Sequence, residues 1–423
     1  MKAVIQKGRN EPAAIRIPSS KSMTHRALIA AALAEGDSRI FHPSVNRDTD
    51  ATIRCLEQLG ASVQIHDDLF EVHGCGLRFP SSGTLLDCGE SGSTLRFLIP
   101  LFALSGNEYF FTGGGKLMER PLAVYRDLFH EAGLLFEQNG AVLRIRGPLE
   151  GGTYRIPGDI SSQFISGLLF ALPPAEEDSV LHIIPPYESR GYVRLTEETL
   201  VQAGISVRDE GNTIYIPGNS RYHSSDWFVT GADSQAAVFL ALGCMAGQTV
   251  EVQGMRHDSL QPDHQIISIL RRMGAAIEET EEGYRVLPAE LHGCEIDLAD
   301  CPDLGPVLFA LAQRAEGETV FRNAGRLRFK ESDRIAAMQE ELEKLGGNLH
   351  ADGGTVIVRG GSRLHGALLS GHNDHRIVMA LSALASGLDE TVTIIGAEAV
   401  NKSYPEFFCD LSTIGPQVHM ITE

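Results

Sequence analysis

The sequence predicts a mixed α/β protein that repeats one structural unit six times. Each unit begins with a short polar cluster and continues with an apolar helix, a turn and strands. Glycines that follow the first helices recur at a spacing of 70 residues, as between Gly36 and Gly106 and between Gly317 and Gly387. A fixed period of this size indicates a supersecondary unit copied along the chain. The six clusters are SSKS at 19–22, ESGS at 90–93, SSQ at 161–163, DSQ at 233–235, DLGP at 303–306 and NDHR at 373–376.

Two helices are expected in each unit. The first is apolar on nearly every side, as in ALIAAALA at 27–34, which predicts a buried helix. Five of the six first helices stop at a glycine, and the third is expected to end near Glu177. The second helix has apolar residues spaced near 3.6, as in 52–60 and 335–346, which indicates an amphipathic helix.

About four strands complete each unit, because short alternating segments that end in glycine follow the helices. Examples are VLRIRG at 142–147, TIYIPG at 213–218 and TVIVRG at 355–360. A chain of 423 residues is too long for one ordinary core, so the units are expected to divide between two or three domains.

The charge balance limits the kind of partner. The chain has 36 Lys and Arg against 55 Asp and Glu, which gives a formal net charge of −19. A nucleic-acid site needs a basic field that neutralises phosphates, so this balance argues against DNA and RNA. A local cluster of cations can still bind small anions. With 43% hydrophobic and 22% charged residues, the composition is that of a globular protein with ample core.

No cofactor, disulfide, metal or membrane segment is expected. The seven cysteines are scattered without a CxxC pair, which favours a reducing compartment. The start, MKAVIQ, lacks the apolar core of a signal peptide, and no apolar run approaches the ~18 residues of a membrane span, so we expect a cytoplasmic protein. His372 and His375 are three residues apart, but no Asp or Cys is spaced to join them as a third metal ligand.

Four cations stand where a helix dipole disfavours them. Lys21, Arg96, Arg334 and Arg376 lie at or near the starts of predicted helices, whose positive ends repel a cation by up to ~1 kcal/mol. The Ser, Asp and Asn residues beside them are typical N-caps, but capping does not explain the cations. Helix N-termini offer N–H groups to phosphates and carboxylates, and adjacent cations would complete such a site. The clusters therefore predict anion binding.

The segment RLRFKESDR at 326–334 is the richest in charge, with four cations and two acids. Lys330 and Arg334 are like charges at i,i+4 and would repel each other on an exposed helix. Either a shared anion or the neighbouring Glu331 and Asp333 would relieve that repulsion. Taken alone, the segment is compatible with a solvated helix face and with an anion site.

Seven motifs, in this order, closely resemble those of the 5-enolpyruvylshikimate-3-phosphate (EPSP) synthases, a family of enolpyruvyl transferases. The resemblance covers essentially the whole chain. The motifs are PSSKSMTHR at 18–26, GESGSTLR at 89–96, ERPL at 119–122, SSQF at 161–164, KESDR at 330–334, NDHR at 373–376 and KSYP at 402–405.

The resemblance implies a two-domain inside-out α/β barrel built from six βαβαββ repeats, three in each domain, with a ligand cleft between the domains. Domain I would comprise 1–18 and 228–423 and carry the phosphoenolpyruvate-side cations and the acid–base residues. Domain II would comprise 19–227 and mainly bind shikimate 3-phosphate. We expect a monomer whose partners are small-molecule substrates, with no nucleic acid and no membrane.

The implied reaction transfers the enolpyruvyl group of phosphoenolpyruvate to the 5-hydroxyl of shikimate 3-phosphate and releases phosphate. The resemblance assigns shikimate 3-phosphate binding to Lys21, Ser22, Arg26, Ser161, Ser162, Gln163, Ser189, Asp303 and Lys330. It assigns phosphoenolpyruvate binding to Lys21, Gly92, Arg120, Gln163, Arg334, Arg376 and Lys402. These residue types suit the task, because arginine forks bind carboxylates and phosphates in pairs of hydrogen bonds.

Two carboxylates are implied as the acid–base pair. Asp303, in PDL at 302–304, would accept the proton of the 5-hydroxyl, and Glu331 would donate a proton to the methylene carbon. Lys21 is an alternative participant in proton transfer, and the sequence leaves this open. Taken alone, Asp303 is equally compatible with a helix N-cap, and Glu331 with a solvated helix residue.

Two positions depart from the commonest pattern of the family. Glu90 stands where Asn is usual, and Phe97 stands where Pro or Leu is frequent. Glu90 could pair with Arg96 or with Arg120, and the sequence does not decide between them. Gly92 is retained, and in this family that small residue leaves room for phosphoenolpyruvate and for the inhibitor glyphosate. We therefore expect glyphosate to compete with phosphoenolpyruvate.

Two alternatives remain at this point. UDP-N-acetylglucosamine enolpyruvyl transferases make the same transfer to a nucleotide sugar, but they typically have Lys-Asn in the first motif and a Cys or Asp in a mobile loop. Here the first motif reads Lys21-Ser22, and the corresponding loop at 113–119 has no cysteine. The second alternative is a non-catalytic anion-binding repeat scaffold, since repeats alone say nothing about turnover. Asp303 and Glu331 argue against a scaffold, because carboxylates oppose simple anion binding.

Overall fold

The computed structural model describes residues 1–422 and contains two compact units. Unit 1 comprises 1–18 together with the chain from residue 230 onward, and unit 2 comprises 19–229. Unit 2 is therefore inserted into the sequence of unit 1. None of the described helices combines the length and apolar character needed to cross a membrane.

The helices fall into the pairs that the repeat predicts. Their bounds are α1 (Lys21–Leu33), α2 (Arg47–Gln58), α3 (Gly92–Phe102), α4 (Ala123–Glu131), α5 (Ser162–Ala171), α6 (Arg190–Gln202), α7 (Asp233–Ala246), α8 (Ile266–Arg272), α9 (Gly305–Ala312), α10 (Arg334–Lys344), α11 (His375–Ala385) and α12 (Phe407–Thr413).

The strands are short and follow the helices in a regular order. Their bounds are β1 (Lys2–Gln6), β2 (Ala13–Arg16), β3 (Glu35–Phe41), β4 (Ser62–His66), β5 (Leu69–Cys75), β6 (Thr84–Asp87), β7 (Glu108–Thr112), β8 (Leu135–Asn139), β9 (Val142–Arg146), β10 (Thr153–Pro157), β11 (Ser179–Ile184), β12 (Arg208–Asp209), β13 (Thr213–Ile216), β14 (Asp226–Phe228), β15 (Val250–Gln253), β16 (Ala276–Thr280), β17 (Gly283–Leu287), β18 (Glu295–Asp297), β19 (Glu318–Arg322), β20 (Leu349–Asp352), β21 (Thr355–Arg359), β22 (Leu368–Ser370), β23 (Val392–Ile395) and β24 (Gln417–Ile421).

The strands form four-stranded sheets of one design. In the sheet of β6 to β9, β6 and β7 are parallel with Leu85 opposite Phe110, while β9 is antiparallel to both β7 and β8. Helix α3 connects the parallel strands, and α4 connects β7 to the β8–β9 hairpin. This order is βαβαββ, so the predicted mixed α/β unit with two helices and four strands is confirmed. The sheet orders are β22-β23-β1-β24, β10-β11-β13-β12, β14-β3-β5-β4, β16-β17-β15-β2, β18-β19-β21-β20 and β6-β7-β9-β8.

Strands distant in sequence complete three of these sheets. In unit 2, β14 runs parallel to β3 although it comes last in the unit. In unit 1, β2 runs parallel to β15, and β1 lies antiparallel between β23 and β24. These pairings explain why 1–18 belongs to unit 1, whose other residues follow position 229.

The first helix of each repeat is buried, as its composition predicts. Every residue of α1 from Thr24 to Leu33 is buried, and α11 is buried along its whole length. Helices α9 and α7 both pack on α11 in unit 1, and α3 packs on α5 in unit 2. Burial removes the helix N-termini from bulk water, so their first N–H groups need side-chain or ligand acceptors.

The prediction that five first helices stop at a glycine holds for α7, whose C-cap is Gly247, but α1, α3 and α9 end three to five residues before their glycines, at Leu33, Phe102 and Ala312. Helix α5 ends at Ala171 rather than near Glu177, because Pro173 and Pro174 follow and cannot donate the backbone bonds that would continue it. In the fifth repeat, Pro302–Leu304 forms a separate 3-10 turn, and α9 begins only at Gly305. The 3-10 turn carries Asp303 ahead of the helix.

Candidate active site

In unit 2, serines cap the buried helices. Ser20 accepts a hydrogen bond from the Met23 backbone at the start of α1, and Ser91 and Ser161 do the same at the starts of α3 and α5. The interpretation of these serines as N-caps is confirmed. Ser189 precedes α6 in the left-handed conformation, with φ of 53°, and is buried.

Lys21 is the first residue of α1 and lies at the positive end of that helix. Its Nζ is 2.7 Å from Oδ2 of Asp48, whose side chain is 8% exposed and belongs to the first turn of α2. The carboxylate offsets the unfavourable interaction of Lys21 with the helix dipole. Asp48 also fixes the position of the ammonium, a role that the sequence did not reveal.

Gly92, the first residue of α3, faces three polar side chains. A Cβ added at this position would lie 3.0 Å from Nη1 of Arg120, 3.2 Å from Nη1 of Arg96 and 3.4 Å from Oε1 of Gln163. Gln163 accepts a hydrogen bond from Arg96 at 2.7 Å and donates one to Ser93 at 2.9 Å. The structure therefore brings together the predicted Gly92, Arg120 and Gln163, with Arg96 beside them. We call these four residues the unit 2 anion cluster.

The two arginines of this cluster repel each other. Burial, and then the charge of Arg120, lower the pKa of Arg96 to about 9. The guanidinium of Arg96 also lies over the ring of Phe164, 5.1 Å from its centroid, which offsets part of the cost of burying the charge. A bound anion beside Gly92 would relieve the repulsion between the two guanidinium groups.

Arg26 is almost completely buried and is hydrogen-bonded within the protein. It is 3% exposed and donates hydrogen bonds to Thr196 Oγ1 and to the backbone carbonyls of Ser22 and Tyr192. Burial lowers its pKa to about 10. Arg26 thus connects α1 to α6, whatever it contributes to ligand binding.

The two departures from the family pattern have different surroundings. The carboxylate of Glu90 lies against the loop that contains Gly115, where any side chain at position 115 would overlap it. Phe97 is 1% exposed, packs on Phe170 and supports the guanidinium of Arg26, which lies 5.3 Å from the ring centroid. Phe97 is therefore a core residue that contributes to the environment of Arg26.

In unit 1, three cations converge on Asp303. Its carboxylate is 3.1 Å from Lys330 Nζ, 3.1 Å from Arg334 Nη1 and 3.4 Å from Arg376 Nη2. Burial opposes ionisation, but these three charges outweigh it and hold the pKa of Asp303 well below its ordinary value. The side chain is 25% exposed, and the residue that caps α9 is Leu304, so Asp303 is not the N-cap of that helix.

Arg334 is held in a fixed orientation by Asp374, which is fully buried. Arg334 donates to Asp374 through Nε at 2.9 Å and Nη2 at 3.2 Å, which is a bidentate pair. Burial disfavours the charged form, but the carboxylates of Asp374 and Asp303 raise the pKa of Arg334 above its ordinary value. Asp374 also accepts a bond from the Arg376 backbone as the N-cap of α11.

Arg376 and Lys402 are both held by backbone carbonyls. Arg376 donates to the carbonyl and hydroxyl oxygens of Ser234, at 2.9 and 2.8 Å. Lys402 is 3% exposed and its Nζ donates to the carbonyl of Asn373 at 2.6 Å. These contacts stabilise two buried cations without neutralising their charge. We call Asp303, Lys330, Arg334, Arg376 and Lys402 the unit 1 anion cluster.

Glu331 is paired with His375. Glu331 Oε2 is 2.8 Å from Nδ1 of His375 and 3.9 Å from Nη2 of Arg334, and both Glu331 and His375 are largely buried. From the sequence, His375 is expected to be part of an anion site and Glu331 is compatible with a solvated position. The structure instead places the two side chains against each other, next to the cations that surround Asp303.

Acidic side chains lie close to His372 and to His375, but in two separate groups, and neither group contains both histidines. One acidic group surrounds His375 and the other surrounds His372. Within each group, the atoms that could bind a metal lie within 4.8 Å of one another. A basic side chain already pairs with both carboxylates in each group, Arg334 in the first and Lys344 in the second. The groups are Glu331, Asp374 and His375, and Glu340, Glu341 and His372.

Comparisons with known proteins identify the family of the chain. A family model described as EPSP synthase (3-phosphoshikimate 1-carboxyvinyltransferase) matches residues 5–411. The chain is 41% identical over 407 residues to the 3-phosphoshikimate 1-carboxyvinyltransferase of Clostridium kluyveri, covering 96% of this chain and 95% of that protein. It is 40% identical over 413 residues to the enzyme of that name from Clostridium acetobutylicum, covering 96% and 95%.

The chain belongs to the EPSP synthase family. The EPSP synthase of Acinetobacter baumannii has a similar structure, with a TM-score of 0.81 and 26% identity over 99% of this chain and 100% of that one. The enolpyruvyl transferase NikO from Streptomyces tendae shares the fold alone, with a TM-score of 0.80 and 18% identity over 99% of this chain and 98% of that one. The predicted resemblance is confirmed, and the family is favoured over the nucleotide-sugar enzyme and over a non-catalytic scaffold.

Three side chains of the site were not predicted as functional. Asp48, Ser234 and Asp374 hold Lys21, Arg376 and Arg334 respectively. Asp374 and Ser234 lie within polar clusters at helix starts, which is the one signal that could have identified them. Asp48 lies in the first turn of α2, and nothing in its local sequence connects it with Lys21.

Proposed function

We propose that the unit 1 and unit 2 anion clusters bind the substrates of an EPSP synthase and that Asp303 and Glu331 transfer the protons. The enolpyruvyl group of phosphoenolpyruvate passes to the 5-hydroxyl of shikimate 3-phosphate, and phosphate leaves. The observation that carries this proposal is the contrast between the two carboxylates. Asp303 is surrounded by three cations, whereas Glu331 lies against His375.

Phosphoenolpyruvate carries a phosphate and a carboxylate, so its site needs several cations in fixed positions. Arg334 and Arg376 are oriented by Asp374 and Ser234 before any ligand binds, which reduces the entropy lost on binding. The other proposed phosphoenolpyruvate ligands are Lys21, Gly92, Arg120, Gln163 and Lys402. Gly92 matters because its missing side chain leaves the Arg120 and Arg96 guanidinium groups accessible to an anion.

Shikimate 3-phosphate combines a phosphate with ring hydroxyls and a carboxylate. Helix N-termini with serine hydroxyls suit its phosphate, because backbone N–H groups and hydroxyls both donate to phosphate oxygens. The proposed ligands are Lys21, Ser22, Arg26, Ser161, Ser162, Gln163, Ser189, Asp303 and Lys330. Asp303 would meet the 5-hydroxyl, since a carboxylate accepts the hydrogen bond that precedes proton transfer.

Binding of phosphoenolpyruvate activates Asp303 in this mechanism. Without ligand, the cations around Asp303 keep it ionised but make it a weak base. Anionic groups bound to Arg334 and Arg376 offset those positive charges, so the pKa of Asp303 rises and its affinity for a proton increases. The base then becomes effective only when the second substrate is present.

The proposed reaction consists of an addition step and an elimination step. The 5-hydroxyl oxygen attacks the carbon that bears the phosphate while Asp303 takes the hydroxyl proton, and Glu331 adds a proton to the methylene carbon. The product is a tetrahedral ketal phosphate. Phosphate then leaves, and Glu331, ionised by the first step, takes back one methyl proton, which restores the double bond. The proton on Asp303 passes to the departing phosphate. His375, 2.8 Å from Glu331, is placed to assist the proton exchange at Glu331. Lys21 remains the alternative proton donor.

The test is release of phosphate from the purified protein with both substrates, compared with Asp303→Asn and Glu331→Gln variants. The proposal expects turnover in the wild type and a loss of about 100-fold or more in each variant, as for removal of a general acid or base. Equal activity of Asp303→Asn and wild type would refute the role of Asp303. Phosphate release with UDP-N-acetylglucosamine as acceptor instead would favour the alternative activity.

A further inference from the structure

A tight turn precedes α11 and holds one of the buried cations of the unit 1 anion cluster. Asp374 donates its backbone N–H to the carbonyl of Gly371 at 2.9 Å, which closes a four-residue turn. The two central residues, His372 and Asn373, have φ of 49° and 52°. Positive φ at both central positions is the signature of a type I′ turn. We call 371–374 the α11 turn.

This turn is a demanding conformation for the residues that form it. Neither central residue is glycine, so each has a Cβ in the left-handed region, although His and Asn tolerate that region better than most residue types. Such a backbone persists only where surrounding contacts enforce it. The relevant contacts come from both ends of α10, which begins with Arg334 and continues to Lys344.

The first contact is the bidentate pair of Arg334 with Asp374 described above. The second is made two turns further along α10 by Glu341, whose side chain is fully buried. Its Oε1 is 2.7 Å from Nε2 of His372, and its Oε2 accepts the backbone N–H of Ser370 at 3.0 Å. Glu341 therefore contacts the chain on the N-terminal side of the turn and at its first central residue.

The charge of Glu341 is maintained in this position. Burial opposes ionisation, but hydrogen bonds from His372, Lys344 and the Ser370 backbone outweigh it and lower the pKa of Glu341. An ionised carboxylate can only accept a hydrogen bond, so Nε2 of His372 is the donor. Lys344 pairs with Glu341 at 2.9 Å and with the exposed Glu340 at 2.8 Å, and of these two carboxylates it is Glu341 that is hydrogen-bonded to His372.

The α11 turn positions side chains that are proposed to bind phosphoenolpyruvate. The carbonyl of Asn373 accepts the Lys402 ammonium at 2.6 Å, and the next residue, Asp374, orients Arg334 and caps the helix that carries Arg376. Any relaxation of the turn would move that carbonyl and weaken its hydrogen bond with Lys402. Lys402, Arg334 and Arg376 are all proposed ligands of phosphoenolpyruvate.

We propose that Glu341 and His372 are positioning residues for phosphoenolpyruvate binding, which act by holding the α11 turn and through it Lys402. This inference rests on the proposed function. Neither side chain touches substrate in this mechanism. Their loss lowers the affinity for phosphoenolpyruvate. The unit 2 residues that are proposed to bind shikimate 3-phosphate are unaffected.

The experiment measures kcat and both KM values by phosphate release for four single variants. His372→Asn keeps a residue that tolerates the left-handed region but is too short to reach Glu341, and His372→Gln restores the reach with an amide donor. Glu341→Gln removes the charge. Glu340→Gln is the matched control, because Glu340 neighbours Glu341 and shares Lys344, whereas the hydrogen bond of His372 goes to Glu341.

We expect the KM for phosphoenolpyruvate to rise about fivefold to tenfold in His372→Asn and Glu341→Gln, the equivalent of one weakened charge-assisted hydrogen bond. The KM for shikimate 3-phosphate should stay within about twofold of wild type, and His372→Gln should recover part of the loss. Glu340→Gln should match wild type. If Glu341→Gln fails to fold, the two His372 variants provide the result, since that side chain is partly exposed.

Three outcomes are decisive. Wild-type kinetics in His372→Asn would show that the contact between residue 372 and Glu341 is not needed to hold the turn, and would overturn the proposal. A parallel rise in both KM values, with a lower melting temperature, would indicate general loosening and would also overturn it. Absence of phosphate release by the wild-type protein would refute the proposed function instead, so the two failures are distinguishable.

Discussion

Substitution of Gly92 by alanine tests whether the unit 2 anion cluster binds phosphoenolpyruvate. The added methyl would lie 3.0 Å from Nη1 of Arg120 and 3.2 Å from Nη1 of Arg96, closer than ordinary carbon contacts. The methyl therefore occupies space in front of two hydrogen-bond donors. Gly92 is the first residue of α3 and has no positive φ, so alanine fits the backbone and should not destabilise the fold.

The expected loss follows from the bonds that the methyl blocks. One charge-assisted hydrogen bond contributes about 1.5–3 kcal/mol, and each 1.4 kcal/mol is tenfold in affinity, so the KM for phosphoenolpyruvate should rise about 10-fold to 100-fold. The KM for shikimate 3-phosphate should change little. Glyphosate should inhibit the wild type in competition with phosphoenolpyruvate, and Gly92→Ala should weaken that inhibition at least as strongly.

The assay is phosphate release at varied phosphoenolpyruvate, with and without glyphosate, together with thermal melting. Gly106→Ala is the matched control, because an added Cβ there meets nothing within 4 Å. An unchanged KM for phosphoenolpyruvate in Gly92→Ala would refute the placement of the anion beside residue 92. No inhibition of the wild type at millimolar glyphosate would separately refute the expected sensitivity.

Three further predictions concern the carboxylates. Asp303 has a depressed pKa in the folded state, so its ionised form stabilises the fold above the ordinary aspartate pKa, and this contribution is lost as the pH falls below about 4. The free energy of unfolding should therefore decline more steeply below that pH in wild type than in Asp303→Asn. Asp374→Ala leaves the buried Arg334 without its bidentate partner and should cost about 3–5 kcal/mol in denaturant unfolding, whereas a cost below about 1 kcal/mol would contradict the pairing. Asp48→Ala should release Lys21 and lower kcat/KM about tenfold without loss of the fold, and wild-type turnover would contradict a role for the 2.7 Å contact.

The repeat was predictable because residue patterns that are local in the sequence determine it. After their polar starts, the buried helices α1 and α11 are almost entirely apolar, and the glycines that follow mark the period. Prolines explain the early end of α5 and also begin the 3-10 turn that precedes α9. In both cases the local backbone chemistry of proline overrode the regularity of the repeat.

The cations of the site were predictable, but their partners were not. Lys21, Arg334 and Arg376 stand out because they oppose a helix dipole within recognisable motifs. Their partners are 27, 40 and 142 residues away in sequence, at Asp48, Asp374 and Ser234. Only tertiary packing brings such pairs together, and aspartate and serine at helix starts are otherwise explained as caps.

The buried carboxylates reconcile an anion site with a chain of net charge −19. In unit 1, Asp303, Glu331 and Asp374 lie among the cations, so the side chains of the cluster together are close to neutral rather than strongly positive. Recognition must then come from the fixed directions of the donors more than from bulk potential, which attracts any polyanion. In the proposed function, a small anion that matches those directions displaces the longest contact of Asp303, which is the one to Arg376 at 3.4 Å. In the proposed function, these carboxylates weaken general anion attraction, and one of them, Asp303, is the proposed base.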